Sequence, residues 1–348
     1  MWTLFALALF IRWGAFYGYY FVYKTPGGIA PSPTSSEVYE LIAVRMLDGE
    51  GLSPVWLAYR PPLEPMLIAS VYAVTGLRDP LLPVLAQTVL SAATCLFAYA
   101  IAKELGMKDA AAKTAVLLMA LDPASVASSL VLLAETLSNF FIAWSLVFLA
   151  RFLQGHRMRD VVACAACLVL ASYARPNAVY FAIGVAVLMF AFMPRSPGRA
   201  AIVLVVFAIG VLPWFVRNYA YHRLFTFATT GSFNLLFYKA VSVEAWATGR
   251  SPAEVQAEFA YELDRRLGVA GPRDTYDYNS IWRQLVPADP RAERIMRDMA
   301  FAVYWAHPTT YLILIPLSLI KLLAFSDLIR SFGVALWFEM AFNLLFYC

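Results

Sequence analysis

"YRPPLEPMLIASVYAVTG", Tyr59 to Gly76, is the stretch on which the reading of this chain turns. After its prolines it is apolar enough to enter a bilayer, yet Arg60 precedes the Pro-Pro pair and Glu64 lies just beyond it. From Pro62 to Gly76 a helix would be about 22 Å long, against a hydrocarbon core of about 30 Å, and it would carry Glu64 and Pro65 into lipid. Length therefore predicts that the segment lies along the membrane and does not cross it.

Charge gives an independent test. With this segment interfacial and the N-terminus cytoplasmic, four short cytoplasmic loops collect Lys103, Lys108 and Lys113, then Arg151, Arg157 and Arg159, then Arg195 and Arg199, then Lys321 and Arg330. That is the positive-inside pattern. If the segment crossed, all four clusters would face outward.

The rest of the sequence agrees with a membrane setting. Of 348 residues 61% are hydrophobic and only 14% charged, and the mean hydropathy is +0.65, well away from soluble-domain composition. The apolar runs are continuous and do not alternate at period two, which predicts helices and excludes barrel strands. The expected fold class is all-α integral membrane, with about nine spans near 2–23, 81–102, 110–131, 136–153, 159–174, 177–193, 200–216, 306–324 and 331–347. Arg12, mid-span, is expected to face the bundle or a polar cavity, because a charge at that depth costs about 2.5–3.5 kcal/mol. The net charge of +4 is spread along the chain and suggests no nucleic-acid partner. "CAAC" at 164–167 has redox spacing but lies in an apolar run, where small core residues are the expected role.

Two outer loops interrupt the spans, 24–80 and 218–305, within what reads as a single integral membrane domain, 1–348. In the first, "SSEVYELIAVRMLDGEG" predicts a second interfacial helix capped by Ser35 or Ser36. Glu37, Glu40, Arg45 and Asp48 share one arc; Val38, Tyr39, Ile42, Ala43, Met46 and Leu47 share the other. In the second loop, "SPAEVQAEFAYELDRRLG" predicts a short soluble helix.

Polar residues gather at the outer ends of spans: Arg60 in "YRPP", Glu135 in "LLAETLSNF", Arg175 in "YARPN", and Arg217 with Asn218 in "LPWFVRN". An isolated interfacial arginine is most often an anchor. Several at one depth, below a loop that offers carboxylates, can hold a lipid phosphate through bidentate guanidinium contacts. A nearby carboxylate could then take the proton of an attacking hydroxyl. Asp274 and Asp277 are spaced like metal ligands, but the three histidines, His156, His222 and His307, are scattered, so a solvated acidic loop is the preferred reading. His307 is expected to cap a helix end.

The order of "SSEVYELIAVRMLDGEG", "YRPPLEPMLIASVYAVTG", "AETL", "ARPNAVYF", "LPWFVRNYAYHRLFTFATTGSFNLLF" and "AHPTTYLILIPLSLIKLLAF" resembles the GT-C-fold polyprenyl-phosphate-sugar glycosyltransferases, including the protein O-mannosyltransferases and lipid A aminoarabinose transferases. The resemblance implies a GT-C-like multi-span bundle and a multi-pass protein of the inner or plasma membrane, with its active site on the outer face. It also implies inverting transfer from a polyprenyl-phosphate-linked donor to an acceptor hydroxyl. The family's first-loop acid maps best onto Glu37, with Glu40 and Glu64 in reserve, since Ser35 and Ser36 stand where relatives carry acids. Arg60, Arg175 and Arg217 map onto donor-phosphate positions, with Tyr39, Glu135 and Asn218 in support. A divalent metal fits this chemistry without being required, and a lipid, a glycan or a protein all fit as acceptor. Two other classes remain: a transporter or flippase, against which the lack of inverted repeats argues, and a non-catalytic membrane subunit holding a partner through 218–305.

Overall fold

The computed structural model describes residues 1–22, 38–51, 60–192, 197–277, 279–281 and 289–324. Every element among them is helical. Among the described residues four helices are long and apolar enough to cross a membrane: Trp2–Val22, Leu81–Glu104, Glu135–Gly155 and Gly198–His222. The expected span at 331–347 and the candidate Glu37 lie outside the described residues, as do Ser35 and Ser36. The chain divides into two compact units, one of residues 1–54, 61–213 and 326–348, the other of residues 55–60 and 214–325.

The first unit contains α1 (Trp2–Tyr17), α2 (Tyr39–Arg45), α3 (Leu63–Thr75), α4 (Leu81–Glu104), α5 (Asp109–Leu121), α6 (Pro123–Ser128), α7 (Glu135–Gly155), α8 (Met158–Ala174) and α9 (Val179–Phe192). The segment at Tyr59–Gly76 yields α3, whose 13 residues make a helix of about 20 Å, too short for a straight crossing. Gly76 ends it at φ 69°, a left-handed conformation that glycine adopts without penalty. Glu64, Pro65, Ile68, Ala69 and Tyr72 form its buried stripe. In α2 the expected apolar arc is buried at Tyr39, Ile42 and Ala43, whereas Leu47 is exposed because the helix gives way to a π turn, Met46–Glu50, with Gly49 at φ 100°. Val38 before it holds φ 60°, an uncommon and strained conformation for a β-branched residue.

The expected span at 110–131 is two helices. Pro123 has no N–H to continue α5, and the Asp122 carboxylate accepts the Ser125 N–H at 2.8 Å to start α6 afresh. Helices α7 and α8 form an antiparallel hairpin joined only by His156 and Arg157, the former at φ 53°. Arg175 ends α8 in extended backbone, as a residue before proline must, and Pro176 opens the next turn. Cys164 and Cys167 are free and buried on α8, in keeping with a packing role. Helix α10 (Pro197–His222) carries Pro213 in its interior.

The second unit contains α11 (Thr230–Asn234), a π turn at Leu235–Ala240, α12 (Val241–Thr248), α13 (Pro252–Leu267), α14 (Arg291–Ala306) and α15 (Pro308–Ala324). Helix α13 is the soluble helix expected at "SPAEVQAEFAYELDRRLG": Ser251 and Glu254 form a reciprocal capping box and Gly268 ends it at φ 78°. Val255 and Leu263 are fully buried on its inner face, each contributing about 1.5–3 kcal/mol. The π turn leaves carbonyls that side chains recover: Tyr304 Oη donates to Leu235 O at 2.9 Å, and Gln256 Nε2 to Phe237 O at 2.9 Å.

A close approach fixes α8 against the first part of α10. A Cβ on Gly210 would meet Val169 Cγ2 at 2.6 Å and Cγ1 at 2.9 Å, and Tyr173 Oη donates to the Gly210 carbonyl at 3.1 Å. Gly210→Ala should therefore destabilise the protein by about 1–3 kcal/mol, while Gly184→Ala, where nothing lies within 4 Å, should not. Thermal melts in detergent would compare the two, and equal melting would refute the close approach.

Candidate functional site

Within the first unit, one end of the bundle gathers most of the sequence-predicted carboxylates. Helix α3 starts there, α7 starts there, and α8 ends there. Glu64, in the first turn of α3, is fully buried, and the turn's positive helix end favours its charge. Gln87 Nε2 donates both to Glu64 Oε1 at 2.7 Å and to the Leu133 carbonyl at 2.9 Å, so one amide fixes α3, α4 and the approach to α7. Two residues beyond Leu133, Glu135 opens α7 and pairs with Arg175 at 3.0 Å. Glu40 accepts the Tyr72 hydroxyl at 2.9 Å, which joins α2 to α3. Tyr39 is buried in the apolar cluster of Phe16, Ile68, Tyr72 and Leu130, and the Tyr20 hydroxyl donates to the Leu130 carbonyl in the same cluster.

The second unit holds the other arginines. Arg60 is buried and groups with this unit. Arg217 follows Pro213 by one turn and lies over the rings of Trp214 and Tyr221, 4.9 and 5.2 Å from their centroids. Its Nη1 donates to Asn218 Oδ1 at 2.8 Å. Asn218 Nδ2 in turn donates to the Thr226 and Phe227 carbonyls at 2.8 and 3.2 Å, and Trp214 Nε1 donates to Phe227 O at 3.0 Å. The spacing Trp214, Arg217, Asn218, Tyr221 puts all four on one helix face, and the 226–227 backbone anchors that face. The result is a guanidinium fixed in direction by two rings and an amide, its planar fork suited to pairing with two oxygens of an anion such as a phosphate.

The structure thus joins Glu135 with Arg175, and Arg217 with Asn218. It engages Glu40 and Glu64 in separate contacts, and Glu37 lies outside the described residues. Four participants were missed by sequence reasoning. Gln87 sits in an apolar run and carries no charge to draw notice; Trp214 and Tyr221 could have been found from their i−3 and i+4 spacing about Arg217. Glu293 lay unmarked in the mixed-charge stretch "DPRAERIM". His307 was read as a helix cap, and it does end α14, but it also meets Glu244 at 3.2 Å. Among the described residues no three metal-ligating side chains come together; Asp277 instead accepts the Ser280 N–H and hydroxyl, each at 3.0 Å, and these bonds hold its carboxyl below the usual range.

Glu293, on α14, faces the loop that supports Asn218. It is bonded to the hydroxyls of Ser232 and Thr226, yet burial outweighs those bonds and raises its carboxyl above the ordinary glutamate value. A carboxyl raised in the folded state contributes stability at low pH that is lost as pH rises through its folded value. Glu293→Gln keeps the acceptor and removes the charge. At about pH 7 its melt should equal or exceed the wild type's, and the fall in stability from about pH 5 to about pH 8 should shrink. An unchanged pH profile would show that Glu293 titrates as an ordinary surface acid.

No curated protein matches the chain. Residues 59–217, a little under half of it, match the family described as dolichyl-phosphate-mannose-protein mannosyltransferase. The matched stretch begins one residue before Arg60, contains Glu64, Glu135 and Arg175, and ends on Arg217, so the family resemblance read from the residues is borne out over the segment that carries the candidate arginines.

Proposed function

We propose that this protein is a multi-pass membrane glycosyltransferase of the GT-C type, transferring a sugar with inversion from a polyprenyl-phosphate donor to an acceptor hydroxyl at the outer membrane face. The observation that carries this reading is the family match across 59–217, which spans Arg60, Arg175 and Arg217. About nine spans, a cytoplasmic N-terminus and a location in the inner or plasma membrane complete the reading, and the distribution of lysine and arginine supports them.

In the proposed reaction the acceptor oxygen attacks the anomeric carbon opposite the phosphate. The bond between that carbon and the phosphate oxygen breaks, its electron pair stays with the phosphate, and polyprenyl phosphate leaves. Arg217, oriented by Trp214, Tyr221 and Asn218, takes the growing charge; Arg60 and Arg175 keep the donor-phosphate roles that the family resemblance implies. The acceptor's proton passes to Glu37. Assigning the base to Glu37 is supported by Glu40 being bonded to Tyr72 and Glu64 being buried beside Gln87, contacts that fit positioning roles. A divalent metal is compatible with this chemistry and not required by it.

Native mass spectrometry of the purified protein with a polyprenyl phosphate tests the donor site. Wild type should bind saturably, and Arg217→Ala should weaken binding roughly ten- to hundredfold, the usual cost of a charge-assisted contact. Glu37→Gln should bind like wild type and yield no product with a donor sugar. No binding by folded wild type would overturn the reading.

A further inference from the structure

At the far end of the α7–α8 hairpin from the Glu135–Arg175 pair, a cavity of about 390 Å³ is lined by Arg151, Arg157 and Arg159 with Glu104, Gln154 and Asp160. The two-residue connection creates it. His156 at φ 53° closes α7 by donating its N–H to Phe152 O at 2.7 Å, and Arg157 then leads directly into α8. Arg151, one turn before the end of α7, Arg157 in the connection and Arg159 on the first turn of α8 thereby converge. Arg151 is held in place, donating to Glu104 at 3.1 Å and lying over the Phe148 ring. Among the described residues Arg157 and Arg159 form no ion pair, and Arg157 folds back over Gly155, where an added Cβ would meet its side chain at 3.8 Å. Arg199 adds a further cation at this end, over the ring of Phe152.

We propose that this cavity binds the phosphate of an anionic phospholipid. Its three guanidinium groups outnumber its two carboxylates, one of which Arg151 already engages. Depth selects a lipid over a soluble anion. Helix α7 has 21 residues, about 31 Å, so when one end lies in one headgroup layer the other reaches the opposite layer. Next to the arginines, Leu153, Met158 and Val162 are exposed apolar side chains suited to acyl chains. The loop is one that the charge pattern assigns to the cytoplasmic side, where basic pockets meet anionic headgroups. The inference stands apart from the proposed glycosyl transfer and does not depend on it.

The test is native mass spectrometry of the full chain with phosphatidylglycerol against phosphatidylcholine of the same acyl chains. Arg157→Gln/Arg159→Gln is the test variant, and Lys113→Gln the control, since Lys113 is already paired with Asp109 at 2.7 Å. Wild type and control should retain phosphatidylglycerol preferentially, and the double variant should lose that preference by about thirtyfold while melting like wild type in phosphatidylcholine. Equal retention by the folded double variant, or no preference in wild type, would overturn the proposal. Displacement of the lipid by millimolar inorganic phosphate alone would overturn the lipid as occupant. If the double variant does not fold, Arg157→Gln and Arg159→Gln singly must each reduce the preference.

Discussion

A guanidinium inside a hydrocarbon slab must find partners for its N–H groups within the protein, and the first unit is arranged around that demand at Arg12. Fully buried on α1, it donates to Ser91 Oγ at 2.7 Å, Ala8 O at 3.2 Å, Ala120 O at 3.4 Å, Cys95 Sγ at 3.3 Å and Ser125 Oγ at 3.2 Å. These acceptors lie on α1, α4, α5 and α6, so one side chain fixes four helices at a point. The break at Asp122-Pro123 contributes directly. It deprives the last carbonyls of α5 of their helical donors, and one of them, at Ala120, is taken up by Arg12. Helix break and buried charge satisfy each other.

The same logic, a polar side chain joining elements that apolar packing alone would leave free to slide, recurs at the candidate site. Gln87 holds Glu64 and the Leu133 carbonyl together, Tyr72 holds Glu40, and Asn218 binds Arg217 to the 226–227 backbone. None of these side chains needs to touch a substrate to matter. Each fixes the direction of a charged neighbour, and in a medium of low dielectric a fixed charge is worth more than a mobile one.

Element ends were legible in the sequence because they rest on local chemistry: Gly76 and Gly268 in left-handed backbone, the Ser251–Glu254 box, Pro176 after Arg175. So was the shortness of α3, which needed only a residue count. The division of 110–131 was not, since an apolar run averages over one proline and conceals that Asp122 can serve as a cap. At the candidate site the charged residues were visible and their neutral holders were not. Gln87, Trp214 and Tyr221 acquire meaning only through partners distant in sequence or a turn away, and the burial that raises Glu293 is a tertiary property with no local signature.

The α7–α8 hairpin has a consequence beyond either of its ends. It is tied by Glu135–Arg175 at one end, by the Ser138 hydroxyl on Ala171 O at 3.3 Å just inside, and by the two-residue connection at the other, so its length cannot adjust by sliding. A strut of fixed length between two polar layers is matched to one bilayer thickness. In a thicker or thinner membrane the lipid must deform or the hairpin must tilt, at fractions of a kcal/mol per ångström. Acyl-chain length thus sets how far the lipid must deform or the hairpin must tilt around it.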